Sequence, residues 1–306
     1  MKHLFIVNPV AGGRDCTEAV AASVKAAFAQ GRAGDYEVYT TVAPMDACAK
    51  IQAEAASGEA LRVYACGGDG TLNECVCGAV GHDNVAVTHY PCGTGNDFVR
   101  CFGPERDSFR DLDALLDGEV RKLDVIDCNG RYSVNICSVG IDARIGTSVH
   151  KYTKLPLVNG PISYVISAIA NVFQGIARPM TIRCGGETIR GPQSLACACN
   201  GQFYGGGFHP SLTARPDDGV LDIFIVKKVS LPLFAALIGK YAAGKAAEMS
   251  KYVYHLQGDA IEIDFEKEDV VNLDGEALYA KEVRMKLIPG ALRLIVPAGM
   301  HFFERP

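Results

Sequence analysis

Residues 61–80 read LRVYACGGDGTLNECVCGAV, and the order of residue types within them decides the fold. Leu61 to Cys66 is an apolar, β-rich run that stops at Gly67-Gly68-Asp69-Gly70, and a helical period begins at once with Leu72, Val76 and Ala79. Thr71 and Glu74 have the spacing of a capping box, although Asp69 could equally be the cap. Strand, glycine turn and helix start in succession offer backbone N–H groups at the positive end of a helix dipole, with no Cβ to keep an anion away. The plain alternative is a tight βα turn that needs glycine only for its dihedral angles, and one such loop leaves the two readings even.

Working outward from this junction, the stretches LFIVNP, YEVYTT and VAVTHYP also read as strands, with helices at about 15–30, 45–57, 72–80 and 108–117. This βαβ series predicts a doubly wound, mostly parallel sheet covered by helices over residues 1–122. Two more glycine loops end strands of the same series: FIVNPVAGG after the first and THYPCGTGNDF after the fourth. Ligands of open parallel sheets bind outside the carboxyl ends of the strands, so all three loops are expected on one sheet edge. The third loop has Phe98 where a dinucleotide fingerprint needs its last glycine, which disfavours a dehydrogenase. GKYAAGKA at 239–246 nearly spells a P-loop, but Ala246 lacks the metal-holding hydroxyl and no strand precedes it.

After residue 122 the texture changes to short strands with polar turns, among them CNGR and CGGE, which carry hairpin residues. A second, mainly antiparallel β-sandwich domain is expected over 123–290, with helical segments at about 160–177 and 231–249. The terminal strand ALRLIVP fits either domain.

Composition narrows the function. The chain has 306 residues, 48% of them apolar and 21% charged, as in globular proteins, and a formal net charge of −5 argues against a protein held to nucleic acid by phosphate contacts. The apolar run near the N-terminus, Leu4 to Val7, is too short for a signal peptide, and Asn, Gly, Ser and Lys interrupt the later apolar stretches before they reach membrane-spanning length. Twelve scattered cysteines include no Cys-x-x-Cys. Nothing completes a zinc set around Cys75/Cys77 or Cys197/Cys199, so buried free thiols are expected.

Three motifs together, Asn8-Pro9-x-Ala11-Gly12, Gly67-Gly68-Asp69-Gly70-Thr71-Leu72-Asn73-Glu74 and Pro91-x-Gly93-Thr94-Gly95-Asn96-Asp97-Phe98, resemble the diacylglycerol kinase catalytic domain in its soluble bacterial lipid-kinase form. NICSVGIDA, NGQFYGGGFHPSLTARPDDGVLDI and NLDGEAL resemble later motifs of that family, in order, so the resemblance covers essentially the whole chain. It implies transfer of the γ-phosphoryl group of ATP to a lipid hydroxyl, most naturally that of diacylglycerol, with Mg2+. It also implies that residues 291–306 return to the first domain. By motif, Asn8, Pro9, Val10, Ala11, Gly12, Thr41, Gly67, Gly68, Asp69, Gly70, Thr71, Leu72, Asn73 and Thr94 would surround the nucleotide. Thr41 is chosen over Thr40 for its spacing to Ala47. Asp274 and Glu276 fall on the catalytic pair, with Glu276 the proton acceptor and Asp69 a third catalytic carboxylate. Asp218 with the main-chain carbonyls of Arg215 and Val220 would bind a structural magnesium. Relatives often carry a basic residue after the first glycine loop; Arg14 stands there and is assigned no role. The resemblance further implies a cytoplasmic protein that meets its lipid at the inner face of the membrane, in a family whose members are often homodimers, while the acidic net charge speaks against nucleic-acid partners.

Without the family, the chemistry is only partly visible. Magnesium takes carboxylate and water oxygens while bridging phosphates, so Asp69 and Asp97, each in a glycine loop at one edge, are placed to hold it. Asp274 and Glu276 would share a face of a strand, and a like charge beside a carboxylate raises its pKa toward that of a base. Read alone, however, LDGE is a solvated hairpin turn. A lipid substrate needs a docking surface, for which HKYTKLPLVNGPISYV, with Lys151, Lys154, Leu155 and Leu157, and KKVSLPLF, with Lys227 and Lys228, are candidates, but either stretch also reads as a core helix or hairpin, the favoured reading. Two other functions compete: an NAD-kinase-like kinase of a soluble metabolite, and a kinase of another lipid such as a sphingoid base, ceramide or phosphatidylglycerol. A non-catalytic nucleotide sensor is disfavoured by the presence of Asp69, Asp274 and Glu276.

Overall fold

The structure is a computed structural model that describes residues 1–13, 15–152 and 175–304. The chain divides into two compact units, Met1–Val125 with Pro289–Pro306, and Ile126–Ile288. The helical segment expected at 160–177 lies largely outside the described residues, as do Arg14, Lys154, Leu155, Leu157 and the side chain of Lys151.

The first unit is a βαβ series. Its elements are β1 (Lys2–Val7), α1 (Thr17–Ala29), β2 (Asp35–Thr40), α2 (Asp46–Ala55), β3 (Leu61–Gly67), α3 (Asp69–Ala79), β4 (Val85–Pro91), α4 (Asp97–Arg100), α5 (Leu112–Leu116) and the start of β5 (Glu119–Cys128). The strands stand in the order β4-β3-β1-β2, all parallel. Leu4 to Val7 of β1 are all buried, because helices cover both faces of a parallel sheet, and this central strand therefore reads as an apolar run without alternation, whereas the edge strand β2 is at most half-buried. On α1 the buried Val20, Val24 and Ala27 recur at one helical face, and on α2 Cys48, Ile51 and Ala55 do the same. The helix expected at 108–117 is divided: a 3-10 turn over Gly103–Arg110 stops at Asp111, whose carboxylate accepts the Asp113 and Ala114 N–H groups and caps α5. Leu294 of the returning terminal strand pairs in parallel with Val87 of β4.

The second unit is antiparallel. It comprises the end of β5, β6 (Arg131–Ser133), β7 (Ile136–Gly140), α6 (Ile141–Tyr152), β8 (Arg178–Cys184), β9 (Glu187–Cys199), β10 (Leu221–Lys227), α7 (Leu231–Ala242), β11 (Val253–Gly258), β12 (Ala260–Leu273) and β13 (Glu276–Val296), of which the part to Ile288 belongs here. Strands β7, β9, β8 and β12 pair in turn, and β12 pairs back to β7, closing a sandwich-like circuit. Three two-residue turns set the hairpin registers. Asn129-Gly130 pairs Cys128 with Arg131, Gly185-Gly186 pairs Cys184 with Glu187, and Asp274-Gly275 pairs Leu273 with Glu276. All six turn residues have positive φ, the geometry that matches strand twist and that Asn, Asp and Gly tolerate.

Two cores explain why several of these strands read as unbroken apolar runs. Ala196 and Ala198 of β9 and Ile223 and Ile225 of β10 face the interior of the sandwich with Ile182, Ile263 and Val271. Their neighbours Leu195, Cys197, Cys199, Phe224 and Val226 face the other way and pack with Tyr241 of α7 and Ile141 and Ile145 of α6. Both faces are covered, so polar alternation is lost. The Cys197/Cys199 pair therefore lines a core, and the Cys197 thiol lies 3.0 Å from the Tyr241 hydroxyl. Ten of the twelve cysteines, all free, are buried; Cys16 and Cys92 are half-buried.

Candidate active site

In the first unit the three glycine loops meet. Asn8 follows β1, and its carboxamide accepts the Val10 N–H at 3.1 Å while donating to the Thr71 hydroxyl at 3.2 Å, joining the first loop to α3. A Cβ on Gly12 would strike the Cys92 carbonyl, and a Cβ on Gly93 would lie 2.5 Å from Gly68 Cα. Only glycine lets the backbones approach this closely. The Gly67 carbonyl accepts the Cys92 and Gly93 N–H groups at 2.8 and 3.1 Å, and His89 Nε2 lies 3.1 Å away. Burial lowers the His89 pKa to about 4, so the ring is neutral and donates from Nε2.

Helix α3 starts three residues earlier than its apolar period suggests. Gly68, in an extended conformation, is the N-cap, so Asp69 and Thr71 lie inside the helix and neither occupies the cap position. Glu74 instead accepts the Ala47 N–H at the start of α2, at 3.3 Å. The earlier start also turns Leu72 and Asn73 into the core, 1% and 0% exposed, so their side chains are unavailable to a nucleotide. Thr71 is buried as well and serves as the hydrogen-bond partner of Asn8. Gly68, Asp69, Gly70, Asn8, Pro9 and Ala11 are half-buried, while Val10, Gly12 and Thr94 are exposed. Thr41, just past β2, donates its N–H to the Val7 carbonyl at 2.9 Å, which places it at the sheet edge from which the first loop springs.

Asp69 bridges the second loop to the third. Its Oδ1 accepts the Phe98 N–H at 3.2 Å, in the first turn of α4. Its Oδ2 lies 2.9 Å from the point a Cβ on Gly95 would occupy, and Asp97 Oδ2 lies 3.9 Å from the same point. Two carboxylates thus flank one glycine, and the missing Cβ leaves a cradle between them. Arg100 Nε stands 3.3 Å from Asp97 Oδ1 and donates to the Gly95 carbonyl at 3.2 Å. No group of three His, Cys, Asp or Glu residues suited to a metal occurs among the described residues. Magnesium, however, is held by one or two protein carboxylates when phosphates and water supply the rest, and the pair at Gly95 fits that donor set.

The carboxylates of the second unit divide sharply in role. Asp274 lies in the turn, with φ 52°, not in a strand, so the shared strand face expected for Asp274 and Glu276 does not exist. The Asp274 carboxylate accepts three backbone N–H groups, from Val134 at 2.8 Å, Asn135 at 3.1 Å and Ile136 at 2.9 Å. It is committed to holding the β6–β7 connection. Glu276, the first residue of β13, is half-buried, and its side chain has no hydrogen bond or ion pair among the described residues. Of the two, only Glu276 offers an uncommitted carboxylate.

At the proposed structural magnesium site, Asp218 is exposed and its Oδ1 accepts the Val220 N–H at 3.0 Å, while the Arg215 guanidinium pairs with Asp217. The loop is held from below by Asp222, whose buried carboxylate accepts hydrogen bonds from the Ser211 and Thr213 hydroxyls and from Gln257. Asp142 escaped the sequence reading although its motif was noted. Burial raises its pKa to about 6, and the Tyr204 hydroxyl donates to it at 2.9 Å. A buried acid in an apolar motif has no local signature; its partner lies 62 residues away.

Residues 2–128 match the family described as the diacylglycerol kinase catalytic domain, and residues 135–296 match the YegS C-terminal NAD kinase beta sandwich-like domain. A Staphylococcus aureus (strain Mu3 / ATCC 700698) protein named "Putative lipid kinase" is 24% identical over 249 residues, 81% of this chain and 81% of its own length. A solved structure titled "a putative diacylglycerol kinase from Bacillus anthracis str. Sterne" superposes with a TM-score of 0.74 at 25% identity, covering 98% of this chain and 96% of that one. Another diacylglycerol kinase structure from that organism, 23% identical, shares the fold with a TM-score of 0.69 over 98% of each chain.

Proposed function

This chain belongs to the lipid-kinase family that joins a diacylglycerol kinase catalytic domain to a YegS-type β-sandwich domain, and we propose that it transfers the γ-phosphoryl group of ATP to the hydroxyl of diacylglycerol, giving phosphatidic acid. The observation that carries this reading is the meeting of three glycine loops at one sheet edge, with Asp69 and Asp97 flanking Gly95. Phosphoryl transfer depends on positioning and on charge stabilisation more than on covalent chemistry by the protein, and this half supplies both. The backbones at Gly12, Gly68 and Gly93 approach closely, and the first turn of α3, which begins at Asp69, would offer its N–H groups to bound phosphate. Asp69 and Asp97 are the residues that would hold Mg2+, which when bound neutralises charge on the phosphates.

Glu276 accepts the proton of the attacking hydroxyl, because its carboxylate is half-buried and uncommitted. Asp274 fixes the turn that presents Glu276 by binding three backbone N–H groups. The protein acts in the cytoplasm at the inner face of the membrane, where its lipid resides.

Labelled ATP with Mg2+ and a panel of diacylglycerol, monoacylglycerol, ceramide, a sphingoid base, phosphatidylglycerol and NAD tests the reading. Preferential labelling of diacylglycerol is expected. Because the second domain's family also takes its description from NAD kinase, the NAD arm is the informative control, and label in NAD alone would sink the lipid assignment.

A further inference from the structure

We propose that helix α7 and the lysines around it form a docking face for a bilayer containing anionic phospholipid. The need for such a face rests on the lipid-kinase reading, but the face itself rests on separate observations. On the inner side of α7, Phe234, Leu237, Ile238 and Tyr241 recur at helical spacing and pack against Leu195, Val226, Met249 and Val253. A surface helix of a globular protein then carries polar residues outward. Here Leu231, Pro232, Ala235, Ala236 and Gly239 are exposed instead, and Lys240 is the one charged residue in the helix. Leu231, at the N-terminal end, is 50% exposed. Leu212, 57% exposed, sits against Gly244 just beyond the C-terminal end.

The surrounding charge is predominantly positive. Between residues 227 and 251 there are five lysines and one acidic residue, Glu248, in a chain of formal net charge −5. Glu248 pairs with Lys240 at 3.2 Å and Lys245 at 3.8 Å, which leaves the patch basic. Lys227 lies 4.3 Å from the Tyr254 ring centroid and Lys251 lies 5.5 Å from that of Tyr252. Apolar residues ringed by lysine and tyrosine are the composition of a helix lying in a membrane interface, where lysine stems and aromatic rings keep their polar ends in the headgroups. A second copy of the chain is a poorer occupant, because a two-fold interface would set this lysine patch against itself. No helix among the described residues is long and apolar enough to cross a membrane, so contact is face-on.

Co-sedimentation of the full-length protein with vesicles, without ATP or diacylglycerol, tests the proposal apart from catalysis. Binding is expected to vesicles of phosphatidylglycerol and phosphatidylcholine, to be much weaker to phosphatidylcholine alone, and to fall with salt. Lys228→Ala and Lys251→Ala should each weaken partitioning about fivefold. Leu231→Asn and Leu212→Asn should each weaken it about tenfold, and Ala236→Leu, which adds apolar area to an exposed position, should tighten it about threefold. Equal binding to both vesicle types, no binding by the folded protein, or a dimer that Leu231→Asn converts to monomer would each overturn the docking face. In detergent-dispersed diacylglycerol these variants should match wild-type turnover. Vesicle binding without phosphorylation of any lipid would leave the docking face standing and remove the substrate assignment.

Discussion

Gly95→Ala perturbs the nucleotide half of the site at a single point. A Cβ there would stand 2.9 Å from Asp69 Oδ2 and 3.9 Å from Asp97 Oδ2. Gly95 does not have positive φ, so alanine fits the backbone and slightly restricts the unfolded chain. The group that must give way is the tip of a half-buried carboxylate, not backbone, which puts the overpacking cost near the low end, about 1 kcal/mol. For a chain of this size that is a fall of about 2 °C in Tm. Asp69 cannot yield freely, because its other oxygen holds the Phe98 N–H. A displacement of about 1 Å in a positioning group costs on the order of 100-fold in rate. The expected variant is therefore folded, slower by about 100-fold in kcat, and in need of more Mg2+ for half-saturation. A magnesium titration of labelled-ATP transfer, beside a thermal melt, reads all three quantities. Wild-type kcat and an unchanged Mg2+ requirement in a folded Gly95→Ala protein would refute the cradle.

Three further outcomes follow from the geometry. Glu276→Gln should lower kcat by about 100-fold or more with an unchanged melt, since the side chain has no partner among the described residues; near-wild-type turnover would remove it as the base. Asp274→Ala should act first on stability, because three backbone N–H groups lose a charged acceptor, at a cost of about 3 kcal/mol or more; denaturant unfolding with an unchanged midpoint would contradict that. His89 titrates near 4 when folded and near 6.5 when unfolded, so the unfolded state takes up the proton first as pH falls. Its contribution, about 3 kcal/mol, is full above pH 6.5 and is lost as pH drops from there to 4, so the Tm of His89→Gln should depend less on pH than that of wild type across this window. Parallel Tm profiles for the two proteins would show that His89 is not the group responsible.

The parts of the fold that local chemistry controls were legible in the sequence. Strand β3 stops where glycine begins, and the dipeptides Asn129-Gly130 and Gly185-Gly186 form the turns that their residue types favour. What escaped reading was set by distant partners. Nothing near Glu74 signals that it turns from its own helix terminus to the Ala47 N–H, 27 residues away. Nothing near Asp274 signals that the segment it holds lies about 140 residues earlier, so a period-two pattern places it on one strand face with Glu276. At the site, residue types marked the loops correctly, but the side chains of Leu72 and Asn73 went to the core because α3 begins at Asp69. Asp142 and Asp222 were invisible for the same reason, being buried acids defined by partners that only the fold brings together.

The phosphoryl acceptor is tested most directly by 31P NMR of the wild-type protein with ATP, Mg2+ and diacylglycerol in mixed micelles, followed by organic extraction. The expected result is loss of the γ-phosphate resonance with a matching phosphomonoester resonance in the lipid fraction. Loss of the γ-phosphate into the aqueous fraction alone, as inorganic phosphate or as a phosphorylated soluble acceptor, would contradict it.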